Sequence, residues 1–386
     1  MLNLPHPLPI FTFKPSDDSW KENLIISSIG NDLFQPVKIL DNFLTFKNIF
    51  YNNISKANIN KIEKLSTTWK KVYKVELDST LSYNPGDSVG IIVSNREIYV
   101  NEIFKILNIK DRSIEIKIKD KKSKEFKIVY RGLISDYFRN VFSFTEIPKK
   151  SFLKAIIECS EEKEIIKFLV SKEGSKKYFE LLKYNLIEIL TFLKAKPTLE
   201  HLVYFANNIK PRYYSLTNED KNLEFYIGVE NTEHIKGHCS SFFDNIYFNS
   251  KTHKEKHVYV LGVKKNEFFN LRKSKKYLFI SCGIGITPFI SFSNHIDNYW
   301  VIHGTRSKQD DLTTHLRKKG EITTIISKHE RIENFIKNEL VGDFIKENCL
   351  LYICGPIEMQ KKVYNTIKEF YNFVLNEKRV FFDSWL

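Results

Sequence analysis

The periodicity of apolar and polar positions changes twice along the chain. In the first stretch, short runs rich in β-branched residues at 37–40, 71–77 and 88–93 are typical of strands. Tyr83-Asn84-Pro85-Gly86-Asp87, between the last two runs, is a turn signal. Short strands joined by turns indicate a barrel or a sandwich.

A helical period dominates the middle of the chain. Apolar residues recur at helical spacing over 96–108, and after a strand-like run at 114–118 helical patterns prevail from 132 to 207. The predicted helices lie at 164–170, 176–195 and 198–207. Strand character returns at 212–216, 223–230 and 257–262, so we expect one barrel domain interrupted by a helical insertion.

Strands and helices alternate from residue 276 onward. Strands are predicted at 277–281, 299–303, 321–326 and 350–354, and the last helix at 357–375, which favours a parallel sheet. The predicted fold class is therefore mixed: an antiparallel β-barrel with a helical insertion, followed by an α/β parallel-sheet domain. The predicted domains are an N-terminal segment at 1–20, the barrel at 21–272 with its insertion at about 96–207, and the α/β domain at 273–386.

Composition narrows the functional classes. The formal net charge is +14, but the lysines are spread along the whole chain without a basic tail, which does not favour nucleic-acid binding and is compatible with an acidic protein partner. Five cysteines without a CxxC pair do not favour a disulfide framework, a zinc site or a cysteine-ligated iron–sulfur cluster. No run of about 18 apolar residues predicts a membrane span, and the N-terminus lacks the basic lead of a signal peptide. We expect a cytoplasmic monomer without a metal site.

The stretch Pro211 to Asn218 carries the first candidate chemistry. Arg212 offers a fork of donors suited to phosphate, and Tyr214 offers a ring that can stack on a flat heterocycle. Ser215 adds a hydroxyl beside that ring. An edge strand with aromatic cross-strand pairs is an equally good interpretation of these residues.

Further stretches suit phosphate binding or a strand-end site. Gly283 and Gly285, followed by Pro288, come after a strand and open a helix, which suits a pyrophosphate or an ordinary glycine turn. The segment from Gly237 to Ser241 suits a second phosphate or a helix cap. Cys354 ends a late apolar strand, where ligands bind in open parallel sheets.

Together these stretches resemble the FAD- and NADPH-binding module of the diflavin reductases, which is of the ferredoxin-NADP reductase type. The resemblance runs from about residue 20 to the end and places the helical insertion where that family has its connecting domain. The matching motifs, in order, are Tyr83–Gly90, Arg212–Ser215, Gly237–Ser240, Gly283–Phe289, Gly304–Arg306, Cys354-Gly355 and Asp383–Trp385.

The resemblance implies a role for each matching residue on the flavin side. Arg212 would bind the FAD pyrophosphate, Tyr214 would stack on the isoalloxazine, and Ser215 would hydrogen-bond near flavin N5. The residues implied to hold the FAD phosphates are Gly237, Cys239 and Ser240.

On the nicotinamide side, the resemblance implies that Ser215, Cys354 and Asp383 surround the site of hydride transfer. Trp385 would cover the other flavin face and move aside for nicotinamide. The residues implied to bind the rest of NADPH are Gly283, Gly285, Thr287 and Pro288 at the pyrophosphate, and Arg306, Ser327, Lys328 and Lys337 at the 2′-phosphate.

The sequence also departs from the family. Asn231 stands where a tyrosine usually stacks on the adenine, Ile284 replaces a usual threonine, and Pro356 replaces a usual carboxylate. An FMN-binding flavodoxin domain is not expected before residue 20. The resemblance therefore implies an FAD-containing, NADPH-dependent oxidoreductase that passes electrons to a separate flavodoxin-like, iron–sulfur or haem protein. A non-catalytic interaction module and an NADH-preferring reductase of the same fold are the alternatives.

The implied lid role of Trp385 predicts a change in nucleotide preference. Replacing the indole in Trp385→Ala is expected to increase the use of NADH, because nicotinamide no longer has to displace a ring of similar size. The measurement is kcat/KM for NADPH and for NADH with ferricyanide as acceptor. An unchanged ratio of the two would contradict the lid role.

Overall fold

The structure is a computed structural model of the chain. It describes residues 2, 4, 8, 18–29, 54–66, 70–79, 81–205, 207–218, 222–229, 237–249, 257–317 and 320–384. Within these residues, no helix is both long enough and apolar enough to cross a membrane. The predicted strand at 37–40 lies outside the described part of the chain.

Fourteen strands are described. They are β1 Leu24–Ser28, β2 Ser55–Ser66, β3 Val72–Leu77, β4 Ser88–Ile92, β5 Ser113–Lys119, β6 Phe126–Leu133, β7 Arg212–Ser215, β8 Leu223–Gly228, β9 His257–Lys264, β10 Tyr277–Cys282, β11 Tyr299–Thr305, β12 Glu321–Ile326, β13 Leu350–Gly355 and β14 Val380–Ser384.

The described α-helices are short. They are α1 Glu97–Leu107, α2 Ile134–Asn140, α3 Lys150–Ala155, α4 Lys163–Val170, α5 Ser175–Glu180, α6 Leu186–Phe192, α7 Leu199–Phe205, α8 His238–Phe248, α9 Thr287–Ser293, α10 Ile332–Phe335, α11 Glu339–Lys346, α12 Ile357–Phe370 and α13 Asn372–Asn376. Turns of 3₁₀-helix lie at Asp18–Asn23, Ile157–Cys159, Leu181–Lys183, Gly283–Ile286, Lys308–Asp310 and Thr313–His315.

The chain divides into two compact units. The first comprises Met1–Ser55, Ile92–Pro211 and Asn231–His238. In it, β1, β5 and β6 form an antiparallel sheet beside helices α1 to α7. Its core is rich in aromatic side chains, among them the fully buried Phe138, Phe142 and Phe144.

The second unit comprises Lys56–Ile91, Arg212–Glu230 and Cys239–Leu386. It contains a six-stranded sheet in the order β7-β4-β9-β2-β3-β8, in which the pairs β2–β3, β3–β8 and β4–β7 run antiparallel. A bridge between Leu216 and Phe225, next to the outer strands β7 and β8, brings the two edges of this sheet together as in a barrel.

The same unit contains a five-stranded parallel sheet in the order β12-β11-β10-β13-β14. Nearly every residue of the central strands β10, β11 and β13 is buried, and most are apolar, because helices cover a parallel sheet on both faces. The mixed fold class predicted from the sequence is thereby confirmed. The predicted domain boundary at 272 does not coincide with this division into units, and the predicted domain limits stay a prediction.

Three local predictions were wrong. Strand β6 extends into the region from residue 132 that was predicted as helical, because the exposed Lys127 and Arg131 concealed the alternation of a strand. The single helix predicted at 176–195 is two helices, since Asn185 and Glu188 form a reciprocal capping box that starts α6. The helix predicted at 357–375 is interrupted at Tyr371, between α12 and α13.

A buried histidine in the parallel sheet makes stability depend on pH. His303 on β11 is fully buried; its Nδ1 lies 2.8 Å from the Ser281 hydroxyl, and its Nε2 has no hydrogen-bond partner. Burial lowers the pKa of His303 to about 4, and the nearby Asp311 opposes this only in part. The ring is therefore neutral in the folded protein and takes up a proton more readily once the chain unfolds.

We expect the free energy of unfolding to fall as pH decreases from 6.5 toward 4, by roughly 3 kcal/mol in total for this group. Urea midpoints measured at pH 7, 5.5 and 4.5 test this, with His303→Asn expected to show a flatter profile than the wild type. The exposed His329→Asn variant is the control and should follow the wild type. Parallel profiles for the wild type and His303→Asn would contradict the prediction.

Candidate functional site

Strand β7 presents Arg212, Tyr214 and Ser215 in one short segment. It pairs with β4 so that Tyr214 lies opposite Val89 and Ser215 opposite Ser88. The Arg212 side chain is exposed, Tyr214 is half-buried and Ser215 is buried. A guanidinium at the surface beside a partly covered ring fits a ligand that has both a phosphate and a flat heterocycle.

The Tyr214 ring already has one aromatic neighbour. It stacks on Phe225 of β8 with ring centroids 5.0 Å apart and planes inclined by 19°. A further flat ring can therefore stack only on the opposite face of Tyr214. Phe225 is itself fully buried, so it supports Tyr214 from the side of the barrel core.

The start of α8 lies against the same tyrosine. The Tyr214 hydroxyl and the Cys239 thiol share a hydrogen bond, and burial raises the pKa of Cys239 to about 12. Burial, reinforced by Cys239, likewise holds the pKa of Tyr214 well above its ordinary value. Because the Cys239 side chain is engaged by Tyr214, its predicted phosphate contact would have to come from its backbone N–H, and the buried Ser240 lies in the same first turn of α8.

The glycine loop after β10 is packed against the end of β13. Gly283 has a positive φ of 54°, which glycine adopts without strain. A Cβ on Gly285 would lie 2.4 Å from the Cys354 carbonyl oxygen, so the loop backbone can come this close only with glycine. Thr287 donates to the Ile284 carbonyl at 3.1 Å, and Pro288 lies in the first turn of α9. The predicted pyrophosphate loop is thus a tight turn at the carboxyl edge of the sheet.

Cys354 and Asp383 lie side by side on β13 and β14. They are register partners, and the Cys354 Sγ is 3.9 Å from the Asp383 Oδ2. Cys354 is fully buried, and burial together with the Asp383 charge raises its pKa well above the ordinary value. Gln360 fixes the end of both strands, donating to the Gly355 and Asp383 carbonyls at 2.7 Å each.

A cavity of about 170 Å³ opens at the carboxyl ends of β10, β11 and β12. Of the residues predicted at the 2′-phosphate, Ser327 lines it. Arg331, which the sequence analysis did not select, also lines the cavity. The charges of Arg306 and Arg331 both act on the Cys282 thiol at its edge, lowering a pKa that burial raises. The remaining lining residues include Glu330, Glu333, Glu358 and Lys362.

The two lysines predicted at the 2′-phosphate do not line this cavity. Lys328 is exposed and is not part of the cavity wall, and the Lys337 Nζ is 5.1 Å from the centroid of the Phe370 ring. Arg331 could have been found as a cation in the loop that follows a parallel strand, since ligands bind at that edge of such sheets.

Two predicted positions, Trp385 and Asn231, lie outside the described residues. Of the other departures from the family, Ile284 packs at the edge of the aromatic core beside α9, and Pro356 is the N-cap of α12.

The described residues fit FAD. A stacking tyrosine supported on one face, an exposed guanidinium, a buried hydroxyl and the N-terminus of the eleven-residue helix α8 are grouped around β7. FAD needs these four features, which are a ring platform, a cation for the pyrophosphate, a donor near the flavin edge and backbone N–H groups for phosphate.

Comparison with known proteins agrees with this geometry. The sequence profile of the family described as FAD binding domain matches residues 48–241, just over half of the chain. The match covers β7, the start of α8 and the whole helical insertion.

Curated relatives share low but extended similarity. The chain is 23% identical to the sulfite reductase [NADPH] flavoprotein alpha-component of Buchnera aphidicola over 76% of its length and 51% of the relative. It is 23% identical to human methionine synthase reductase over 80% of its length and 55% of the relative. The chain thus spans about half the length of these two proteins.

A solved structure of a ferredoxin-NADP+ reductase mutant from Plasmodium falciparum, in complex with 2′P-AMP, aligns with 87% of this chain and 98% of that one. The TM-score is 0.48 and the sequence identity 17%. The profile match, the extended relatives and the grouping around β7 lead to one conclusion: the chain belongs to the FAD binding domain family, as the FAD- and NADP-binding module found in reductases of the diflavin type.

Proposed function

We propose that this chain is an FAD-containing, NADPH-dependent oxidoreductase that passes electrons to a separate acceptor protein. The observation that carries the proposal is the contact between the Cys354 thiol and the Asp383 carboxylate, 3.9 Å apart, in the same compact unit as Arg212, Tyr214 and Ser215. When bound, FAD takes up two electrons as a hydride and can release them one at a time.

The chain's own residues have distinct tasks in this proposal. Tyr214 and Arg212 bind and orient the flavin, and the buried Ser215 hydroxyl is a donor near its reactive edge. The raised pKa of Cys354 keeps its thiol protonated at neutral pH, so it can donate a hydrogen bond without adding charge. The Asp383 carboxylate favours the positive charge that develops on nicotinamide.

The acceptor is proposed from chemistry and charge. The family resemblance supports a flavodoxin-like, iron–sulfur or haem protein, and the names of the relatives associate them with sulfite reductase and methionine synthase. A formal net charge of +14 favours encounter with an acidic acceptor. We therefore expect reduction of such an acceptor to slow as ionic strength rises.

The reductase function predicts bleaching of bound flavin. Full-length protein loaded with FAD should lose its visible flavin absorbance on anaerobic addition of NADPH and should then reduce ferricyanide. Cys354→Ala is expected to slow bleaching at least about tenfold at unchanged FAD content, which corresponds to about 1.4 kcal/mol at the barrier. Cys349→Ala, which removes another fully buried thiol just before β13, is the matched control.

Two results would exclude the reductase. A protein that binds FAD but shows neither bleaching nor ferricyanide reduction lacks the activity. A protein that purifies colourless and cannot be reconstituted with FAD supports the non-catalytic alternative, which the departures at Asn231, Ile284 and Pro356 motivate.

The cavity beside Cys282 also supports an NADH-preferring alternative. Arg331 and Ser327 offer a cation and a hydroxyl to a 2′-phosphate, whereas Glu330 offers a carboxylate that suits a free ribose hydroxyl. Glu358, which also lines the cavity, is paired with Lys361 at 3.2 Å. Glu333 is paired with Lys362 at 3.2 Å, which neutralises both. We favour NADPH because the Arg306 guanidinium adds a second positive charge near the same thiol.

The NADPH preference is expected to depend on Arg331. A charged hydrogen bond contributes about 1.5–3 kcal/mol, so Arg331→Ala should lower the ratio of kcat/KM for NADPH over NADH by roughly 10- to 150-fold. Lys337→Ala tests the residue selected from the sequence, and Lys368→Ala, on the exposed side of α12, is the control. A loss of preference in Lys337→Ala but not in Arg331→Ala would show that the sequence-based choice was right.

A further inference from the structure

Asn266, in the segment between β9 and β10, connects three parts of the second unit. Its backbone N–H donates to the Asp87 carboxylate at 3.1 Å, and its side-chain oxygen accepts from the Phe269 N–H at 3.0 Å. Its side-chain amide nitrogen lies 3.5 Å from the Asp383 Oδ1. One residue thus contacts the carboxylate of the turn before β4 and the carboxylate proposed at the nicotinamide.

The orientation of the Asn266 side chain follows from its partners. Because the Phe269 N–H is a donor, the atom that faces it is the amide oxygen, and the NH₂ group must face Asp383. Phe269 is itself fully buried and packs against Phe292 and Tyr352. The buried Phe269 therefore holds the Asn266 amide, which leaves that side chain little room to rotate.

Asp87 extends the connection to β7. It is buried, its Oδ2 accepts from the Asn84 N–H at 2.8 Å, and its carbonyl accepts from the Leu216 N–H at 3.0 Å. Leu216 directly follows Ser215. A continuous path of hydrogen bonds and covalent bonds therefore runs from the strand of Arg212 and Ser215, through Asp87 and Asn266, to the Asp383 carboxylate beside Cys354.

We propose that Asn266 is a positioning residue, which orients the Asp383 carboxylate toward Cys354 and fixes it relative to the strand that carries Ser215. This inference rests on the proposed reductase function. A separation of 3.5 Å is at the outer limit of a hydrogen bond, so the contact aligns the carboxylate more than it stabilises the fold. Misalignment of reacting groups by about 1 Å can cost about a hundredfold in rate.

Two substitutions test whether Asn266 acts by orienting Asp383 or only by holding its own loop through Phe269. Asn266→Asp keeps the oxygen that accepts from Phe269 but replaces the donor toward Asp383 with a second carboxylate oxygen. Asn266→Ala removes both contacts. Asn270→Asp makes the same chemical change four residues away, where the side chain is exposed, and serves as the matched control.

The first experiment is stopped-flow flavin bleaching by NADPH and by C4-deuterated NADPH with the FAD-loaded full-length protein. For Asn266→Asp we expect at least a tenfold slower bleaching rate, a retained or larger deuterium effect, and FAD content and NADP+ affinity within twofold of the wild type. Asn270→Asp should match the wild type. Equal slowing by Asn266→Asp and Asn270→Asp, or an unchanged rate in Asn266→Asp, would overturn the proposal.

A second experiment does not depend on activity. A double-mutant cycle of Asn266→Ala and Asp383→Asn, read as urea midpoints of the FAD-loaded chain without nicotinamide, tests whether the two side chains interact. We expect the double variant to shift the midpoint by less than the sum of the single variants. Additive shifts would overturn the proposal even if the wild type is an active reductase. A wild type that fails to bleach while the cycle remains non-additive would overturn the proposed function and leave the positioning contact in place.

Discussion

The register of the parallel sheet is the constraint on which the nicotinamide side of the site depends. The pairing of β12, β11, β10, β13 and β14 places one residue from each strand in a single row. The row consists of Thr324, His303, Ser281, Cys354 and Asp383. A shift of any strand by one residue would turn its member to the opposite face of the sheet.

This polar row lies near the carboxyl edge of the sheet. The Ser281 hydroxyl lies 2.8 Å from the His303 Nδ1, and Cys354 and Asp383 approach to 3.9 Å. Beneath the row, aromatic rings such as Phe279, Tyr352 and Phe381 fill the same face. Contacts among these rings hold neighbouring strands in place, and the register then aligns the polar side chains beyond them.

On the flavin side, the corresponding constraint is the β-bridge that joins the end of β7 to β8. The bridge between Leu216 and Phe225 brings Phe225 under the Tyr214 ring, and the engagement of the Tyr214 hydroxyl by Cys239 fixes that ring from its other end. Asp87 and Asn266 then connect this strand to Asp383. The groups that would contact a flat cofactor at Tyr214 are therefore preorganised: their orientation does not depend on the cofactor.

Much of this protein could be predicted from sequence, because local patterns determine it. A run rich in β-branched residues predicted β3, and the succession of strands and helices predicted β12, each within one residue of its bounds. The glycine loop before Pro288 predicted a tight turn after a strand. Predictions from local patterns were wrong where a capping residue starts a new helix, as at Asn185, and where a strand is largely polar, as in β6. The spacing of apolar residues does not show where a side chain such as that of Asn185 will bond to the backbone and so end one helix and start the next.

Contacts between residues distant in the chain were decided only by the tertiary structure. The family resemblance implied that Cys354 and Asp383 share one site, and the parallel pairing of β13 and β14 is the physical reason why they are neighbours. Arg331 and Asn266 belong to no motif, and they became visible only through the cavity beside Cys282 and the contact with Asp383. The sequence by itself determined which elements form and which residue types end them. Side-chain neighbours depend on strand order and register, which arise from long-range packing and leave no periodic trace along the chain.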